Sequence, residues 1–332
     1  MDGESGKQAL RIVGVDIGGT KVAAAFMLCD GASVPRIISR SERLVHADEG
    51  REVILLNVEQ VIKDVAADSG FDIQGIGVGT AGCVSPTDGV ILSSSSLMVG
   101  WAGTNLQLRL HQTFGVPVSV IGDVQSHALG ETRWGAAKGC SSCLMVAPGT
   151  GLGGAIVVDG KVLRGAHGIA GHIGHTLHPA ASGIKCSCGK SDHVEPIVSG
   201  VGIGSLYQEK NFDDPAFDPA LDGAEVSRRG AAGEQKAQDV LRKSGFALGQ
   251  AIGSWANIID PELIILSGSV CKSGAIWRDA VTEGFATQVL DPLRDIPIVS
   301  AALGSDAPLI GAAYALLEDP AFENGAALTG QV

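Results

Sequence analysis

The stretch that decides the fold is LRIVGVDIGGTKVAAAFMLCDG, residues 10–31. An apolar segment runs into a turn made of Gly18, Gly19 and Thr20, and a second apolar segment follows directly. A dinucleotide-binding fingerprint would enter a helix after its glycines, but no helix cap is found here. The pattern therefore predicts two strands that fold back on each other as a hairpin.

A second copy of this pattern is SCLMVAPGTGLGGAIVVDGKVLRG, residues 142–165. It again has an apolar strand, a Gly/Thr turn and another apolar strand, and Asp159-Gly160 predicts a tight turn into a third strand. Two such units about 130 residues apart predict a duplicated architecture with two lobes.

Helical patterns separate and follow these units, and with the strands they indicate an α/β fold with mainly parallel or mixed sheets. The predicted helices are NVEQVIKDVAADSG (57–70), QSHALGETRWGAAKG (125–139), GEQKAQDVLRKSGFALGQAIGSWANIID (233–260) and SDAPLIGAAYALLE (305–318), and PELIILSG (261–268) is a predicted strand.

The bulk composition excludes several classes of protein. The formal net charge is −12 and no Lys/Arg cluster is found, which argues against a nucleic-acid partner. No uncharged apolar stretch reaches about 18 residues, so no membrane span is expected. The seven cysteines are odd in number and scattered, and the N-terminal segment has no apolar run of signal-peptide form. We therefore expect reduced thiols in a cytoplasmic protein.

The two glycine turns are candidate phosphate-binding loops. Backbone N–H groups in such turns point into one concavity that fits phosphate oxygens, and Thr20 and Thr150 can add hydroxyl donors. Asp16, at the end of the first strand, can hold Mg²⁺ through water. One Gly-rich turn is a weak signal, but two in matching contexts indicate a nucleoside triphosphate bound from both lobes.

An aspartate follows the strand in VPVSVIGDVQSHALGE, residues 116–131. Asp123 stands at the carboxyl end of that strand, the edge where open α/β sheets bind ligands. It fits a catalytic base that accepts the proton of a sugar hydroxyl in line with the γ-phosphate. It fits a helix N-cap equally well by position.

The loop GHIGHTLHPAASGIKCSCGKSDHVEP, residues 171–196, collects four of the eight histidines. His175, Cys186, Cys188 and His193 form H-x10-C-x-C-x4-H, a donor set that zinc prefers, and four protein ligands make a closed structural site. His178 is a competing ligand. Two other interpretations stay open: buried free cysteines with solvated histidines, and a three-ligand site that activates water.

Five segments together resemble the ROK family of sugar kinases, in order and across nearly the whole chain. They are VDIGGTK (15–21), APGTGLGGA (147–155), GHIGH (171–175), DPELIILSGSV (260–270) and LGSDAPLIGAA (303–313). The resemblance implies the actin-like, duplicated ribonuclease-H-like ATPase fold, with ATP in a cleft between two lobes and transfer to the 6-hydroxyl of a hexose or N-acetylhexosamine. It implies a small lobe of residues 1–121, completed by a C-terminal helix at about 305–332, and a large lobe of residues 122–304.

The resemblance also implies residue roles, with Asp123 as the catalytic base. The nucleotide and transient Mg²⁺ would meet Asp16, Gly18, Gly19, Thr20, Lys21, Gly149, Thr150, Gly151, Gly268 and Ser269. The sugar would meet Gly82, Ser95, Ser96, Gly122, Asp123, His172, His175 and Glu195. Family zinc sites have three cysteines and one histidine, so His193 replaces the last cysteine. A homodimer is expected, as in the family.

Three departures from the family pattern bear on the sugar. His172 replaces a sugar-binding Glu, and GHIGHTL is similar to bacterial N-acetylmannosamine kinases. Gly122 stands where an Asn usually precedes the catalytic Asp, and SSSSLMVGW (93–101) replaces the usual PNLPGW. A neutral His accepts one hydroxyl proton where a carboxylate accepts two. We therefore expect N-acetylmannosamine, with glucose or another hexose as the alternative.

A second class of function is a sugar-sensing regulator without turnover, and the presence of Asp123 argues against it. Repressors of the family carry a DNA-binding domain ahead of the first glycine turn, but only about fifteen residues precede Asp16 here. The sequence leaves the phosphoryl donor open between ATP and polyphosphate.

Overall fold

The structure, a computed structural model, describes residues 9–95, 98–320 and 322. The strands are β1 (Leu10–Ile17), β2 (Lys21–Cys29), β3 (Arg36–Leu44), β4 (Gly75–Thr80), β5 (Cys83–Val84), β6 (Ile91–Ser93), β7 (Val118–Gly122), β8 (Cys143–Pro148), β9 (Leu152–Val158), β10 (Lys161–Val162), β11 (Leu263–Leu266) and β12 (Ile298–Ser300). The α-helices are α1 (Arg51–Ser69), α2 (Leu106–Phe114), α3 (Asp123–Trp134), α4 (Glu195–Val198), α5 (Gly200–Gln208), α6 (Gly223–Ala231), α7 (Gln235–Ile259), α8 (Ala275–Gln288) and α9 (Ala307–Leu317).

The chain divides into two compact units. Unit 1 takes Met1–Gly139, Lys161–Ala170 and Ala302–Val332, and unit 2 takes Cys140–Gly160 and Gly171–Ala301. The division after residue 121 that the sequence predicted is therefore displaced to Gly139. The cause is that β7 pairs with β4, and α3 packs on α9, so Asp123 belongs to unit 1.

Unit 1 is built on a five-stranded sheet in the order β3-β2-β1-β4-β7. The first three strands form antiparallel hairpins, so the predicted fold-back at the first glycine turn is confirmed. β4 and β7 then add in parallel on the other side of β1. The helix α1 covers one face, beginning at Arg51 rather than at the predicted Asn57.

The second sheet repeats this plan and is also five-stranded, in the order β10-β9-β8-β11-β12. β8 and β9 are antiparallel, while β8, β11 and β12 are parallel. Asp159 and Gly160, the predicted turn after β9, both have positive φ, as a type I′ hairpin turn needs. The predicted duplication is confirmed, because each unit starts with a strand, a glycine loop and an antiparallel return strand.

The helix α9 packs closely on the sheet of unit 1. A Cβ built on Gly77, in β4, would lie 1.9 Å from the carbonyl oxygen of Ala312. Any side chain there would therefore push the helix off the sheet. The same helix adds Leu309, Ile310 and Leu316 to a buried cluster against β1 and β2.

A buried carboxylate binds three separate backbone segments of unit 1. Glu131, with no exposed surface, accepts hydrogen bonds from the N–H groups of Ala136 (2.7 Å), Ala302 (3.0 Å) and Leu303 (2.8 Å). Burial by itself would raise its pKa, but the hydrogen bonds from His127 and these N–H groups outweigh burial and lower the pKa to about 2. Glu131 thus holds the chain just before it leaves unit 1 and just after it returns.

Within the part of the chain that the structure describes, every helix is too short or too polar to span a lipid bilayer.

Glu131→Gln should lower the free energy of unfolding by about 3 kcal/mol at pH 7, because the amide cannot accept all the N–H donors that the carboxylate accepts. The folded-state pKa is depressed, so this stabilisation is present above the unfolded pKa of about 4.5 and is lost as the pH falls toward about 2. Urea denaturation at pH 7 and pH 4 measures both effects. Glu209→Gln, at an exposed residue, is the control. Equal stability of Glu131→Gln and wild type would contradict this role.

Candidate active site and metal centre

The parallel register of unit 1 sets two aspartates at one sheet edge. Asp16 pairs with Gly79, and Thr80 pairs with Gly122, so the carboxyl ends of β1, β4 and β7 lie side by side. Asp123 is the first residue after β7 and opens α3. The two carboxylates predicted to serve in Mg²⁺ binding and in catalysis thus come from the same sheet edge, from the strands on either side of β4.

The environment of Asp16 disfavours its charge. Burial is the larger cause and the negative charge of Asp123 the next, and together they raise the pKa of Asp16 to about 7 despite the opposing effect of Lys21. Two carboxylates that influence each other in this way form a site that attracts a cation. The arrangement fits the predicted Mg²⁺-bound nucleotide.

Asp123 is not the N-cap of α3. Gly122 has that position, with extended backbone, and its N–H donates to the side chain of Gln125 over 3.1 Å. The half-buried Asp123 carboxylate accepts from its neighbour Val124, over 2.8 Å. The structure therefore gives the N-cap position to Gly122, and Asp123 is the first residue of the helix.

The first glycine loop is open to solvent. Gly18 donates to the carbonyl of Lys21 over 3.0 Å and closes the turn. A Cβ on Gly19 would meet no atom within 4 Å, and Gly19 has ordinary negative-φ backbone, so nothing inside the chain requires a glycine there. A ligand that approaches the backbone closely would require one. Lys21 pairs with the exposed Glu42 over 3.1 Å.

The sugar residues predicted in unit 1 are only partly described. Gly82, with φ of +103°, would place a Cβ 2.6 Å from the carbonyl oxygen of Ser93, so its glycine is explained by the backbone alone. The pairing of β5 with β6 brings Gly82 next to Ser94, and Ser95 is exposed just beyond. Ser96 lies outside the described residues.

The second glycine loop and the predicted adenosine segment share one edge of the unit 2 sheet. Gly149 follows β8, and Gly268 follows β11, its parallel neighbour. A Cβ on Gly268 would lie 2.4 Å from the carbonyl oxygen of Pro148. The carbonyl of Gly149 also accepts from Gly200, the first residue of α5, over 2.7 Å. Thr150 is exposed and Gly151 and Ser269 flank the same edge.

The four predicted metal ligands converge in unit 2. Their donor atoms all lie within 4.8 Å of one another, with 3.5 Å between Cys186 Sγ and His175 Nδ1 and 3.3 Å between Cys188 Sγ and His193 Nδ1. Zinc bound tetrahedrally at about 2.0–2.3 Å separates its ligands by about 3.3–3.8 Å. The donor set and its spacing therefore fit a closed zinc site.

Backbone contacts shape this loop around its ligands. Cys186 donates to the carbonyl of Lys190 over 2.7 Å, and Gly189, with φ of +86°, closes the turn between them. Without metal, burial raises the pKa of the Cys186 thiol to about 12 and lowers the pKa of His175. His175 is thus neutral, the form that binds metals, whereas Cys186 must release a proton on metal binding.

His178 has a different role from the one considered for it. Its Nδ1 accepts from the N–H of Ala180 over 3.2 Å and caps a short 3₁₀-helix at Pro179–Ala181. It is not part of the four-residue cluster found among the described residues. Its side chain is buried.

Glu195 contacts both the second glycine loop and the metal loop, the segment from His175 to His193 that carries the four candidate ligands. Its Oε2 accepts from the N–H of Leu152 over 3.0 Å, and its Oε1 accepts from the hydroxyl of Ser187 over 2.6 Å. The sequence identified Glu195 but missed Ser187, because a serine in a polar loop carries no signal of its own. His172 lies nearby, with its ring centroid 6.5 Å from that of His175.

Known proteins are similar to this chain over almost its whole length. A glucokinase of Halalkalibacterium halodurans is 31% identical over 314 residues, which cover 91% of this chain and 93% of the relative. An N-acetylmannosamine kinase of Haemophilus influenzae is 29% identical over 312 residues, covering 92% and 95%. The crystal structure of a ROK family glucokinase from Streptomyces griseus, in complex with glucose and AMPPNP, has a TM-score of 0.76 and 27% identity, covering 92% and 98%.

This structural likeness confirms the predicted fold class, because ROK sugar kinases have the actin-like ATPase fold. The sequence model of the ROK family matches residues 12–319, which include both glycine loops, Asp123 and the metal loop. The chain belongs to the ROK family.

Proposed function

We propose that this ROK family sugar kinase transfers the γ-phosphoryl group of ATP to the 6-hydroxyl of an N-acetylhexosamine, with N-acetylmannosamine preferred. The observation that carries the proposal is the pair Asp16 and Asp123 at one sheet edge, beside a glycine loop with open space around its backbone. A sensor without turnover has no use for such a pair.

Asp123 is the proposed general base. It accepts the proton of the 6-hydroxyl while that oxygen bonds to the γ-phosphorus and the bond to the bridging β–γ oxygen breaks, which leaves ADP. Asp16 holds the Mg²⁺ of the nucleotide through water, and the ion neutralises charge on the phosphates. The N–H groups of the Gly18–Thr20 and Gly149–Gly151 loops bind phosphate oxygens.

Zinc is the metal proposed for the cluster of His175, Cys186, Cys188 and His193. With four protein ligands it has no open position, so its contribution is to fix the loop that carries His175 and Glu195. The sugar hydroxyls are proposed to meet these two residues together with His172.

The choice of sugar rests on GHIGHTL and on the likeness to the Haemophilus N-acetylmannosamine kinase. The likeness to glucokinases supports glucose as the alternative. Formation of sugar phosphate, measured over a panel of hexoses and hexosamines with ATP and polyphosphate as donors, distinguishes these substrates. Sugar binding without formation of any sugar phosphate would support the sensor instead. The homodimer stays a prediction for sedimentation analysis.

Asp123→Asn should lower kcat by about 10³-fold, because the isosteric amide cannot accept the hydroxyl proton. The affinity for sugar, measured by calorimetry, should change by less than about threefold, since the variant loses charge but little shape. Asp68→Asn, at an exposed residue of α1, is the matched control. Turnover retained in Asp123→Asn would remove this residue from its role.

Purified protein should contain about one zinc per chain by mass spectrometry, and Cys186→Ser should lower that content to about a tenth or less. Cys140→Ser, outside the cluster, should keep the metal. Chelation should weaken sugar binding, because the loop loses its fixed ligands. A wild-type protein that folds, binds sugar and contains no metal would refute the zinc site.

His172→Glu should lower the ratio of kcat/KM for N-acetylmannosamine to that for glucose by about tenfold, because a carboxylate accepts from two sugar hydroxyls and a neutral imidazole from one. His167→Glu, an exposed histidine of the preceding segment, controls for the added charge. An unchanged substrate ratio would show that His172 does not determine the preference.

A further inference from the structure

One carboxylate joins two functional loops of unit 2 that are far apart in sequence. Glu195 accepts from Leu152, which follows the second glycine loop, and from Ser187, which lies between the ligands Cys186 and Cys188. The bond from Leu152 to Oε2 measures 3.0 Å and the bond from Ser187 to Oε1 measures 2.6 Å, and the Cys186 sulfur lies 3.6 Å from Oε1. A charged acceptor makes each of these bonds stronger than its neutral counterpart.

The glycine loop is fitted to this carboxylate. A Cβ on Gly151 would lie 2.8 Å from Glu195 Oε2, so any side chain at Gly151 would displace the carboxylate or the loop. Gly151 also accepts from the N–H of Gly149 over 2.8 Å, which closes the loop on itself. The position of the Glu195 carboxylate therefore bears directly on the backbone that is proposed to bind phosphate.

The metal loop supplies the other half of the connection. Ser187 is exposed, and its backbone is held on both sides by residues that would bind the metal. Metal binding at Cys186 and Cys188 therefore restricts where the Ser187 hydroxyl can lie, and the hydroxyl in turn restricts the rotamer of Glu195. Without that restriction a glutamate side chain samples several rotamers.

We propose that Ser187 is a positioning residue that makes nucleotide binding at the Gly149–Gly151 loop depend on the metal loop, through the Ser187–Glu195–Leu152 chain of hydrogen bonds. The inference rests on the proposed function, since it takes the glycine loop as the phosphate site. Glu195 has further lone pairs for sugar hydroxyls, so one carboxylate connects metal, sugar and nucleotide.

Calorimetric binding of AMPPNP with Mg²⁺, and of the sugar, to zinc-loaded protein tests this dependence. Ser187→Ala should keep its zinc and weaken AMPPNP binding by about tenfold, because it loses one hydrogen bond to a charged group. Ser187→Thr keeps the hydroxyl and should restore the wild-type value. Ser191→Ala, an exposed serine of the same loop, should bind like wild type.

The outcomes separate this inference from the proposed function. A wild-type protein that binds neither AMPPNP nor any sugar refutes the function, and the inference with it. A wild type that binds both, with Ser187→Ala equal to it, refutes the inference alone. Loss of zinc in Ser187→Ala also refutes it, since the serine would then act on the metal rather than on Glu195.

Discussion

The register between β1, β4 and β7 is the constraint that sets Asp16 and Asp123 at one sheet edge of unit 1. Parallel strands end at one edge, and the pairing of Asp16 with Gly79 and of Thr80 with Gly122 fixes which residues meet there. A slip of one residue would turn Asp16 to the other face of the sheet. Asp16 is also buried at this edge, and burial raises its pKa, so the strand pairing sets both the position and the charge state of this carboxylate.

Unit 2 differs from unit 1 in that its candidate metal ligands lie on a loop with little regular structure, not at the ends of strands. Backbone hydrogen bonds such as that from Cys186 to Lys190 shape the loop, and the four candidate ligand atoms converge within it. Glu195 extends this order to the strand that follows the glycine loop. A metal held by these four residues would therefore also restrict Glu195 and the strand that it contacts.

Much of this arrangement was predictable from local patterns. The hairpins, the duplication, α7 and α9 follow from apolar periodicity and glycine turns, and the four metal ligands follow from residue type and spacing. The unit boundary was not predictable, since it depends on β7 and α3 packing with distant partners. Glu131 and Ser187 were missed for the same reason. Glu131 binds backbone N–H groups and Ser187 binds a carboxylate, and such partners produce no recognisable pattern in the nearby sequence. Asp123 was left ambiguous because only the structure assigns the cap to Gly122.

The packing of α9 on the sheet affects the order in which the two units can fold during translation. The backbone of Ala312 approaches Gly77 more closely than any side chain at that position would allow. The hydrophobic cluster between α9 and strands β1 and β2 therefore cannot form until α9 has packed on the sheet. Every residue of unit 2 precedes Ala302 in the chain. On the ribosome, unit 2 can therefore complete its core first, while the β1–β4 face of unit 1 is completed only after α9 has been translated.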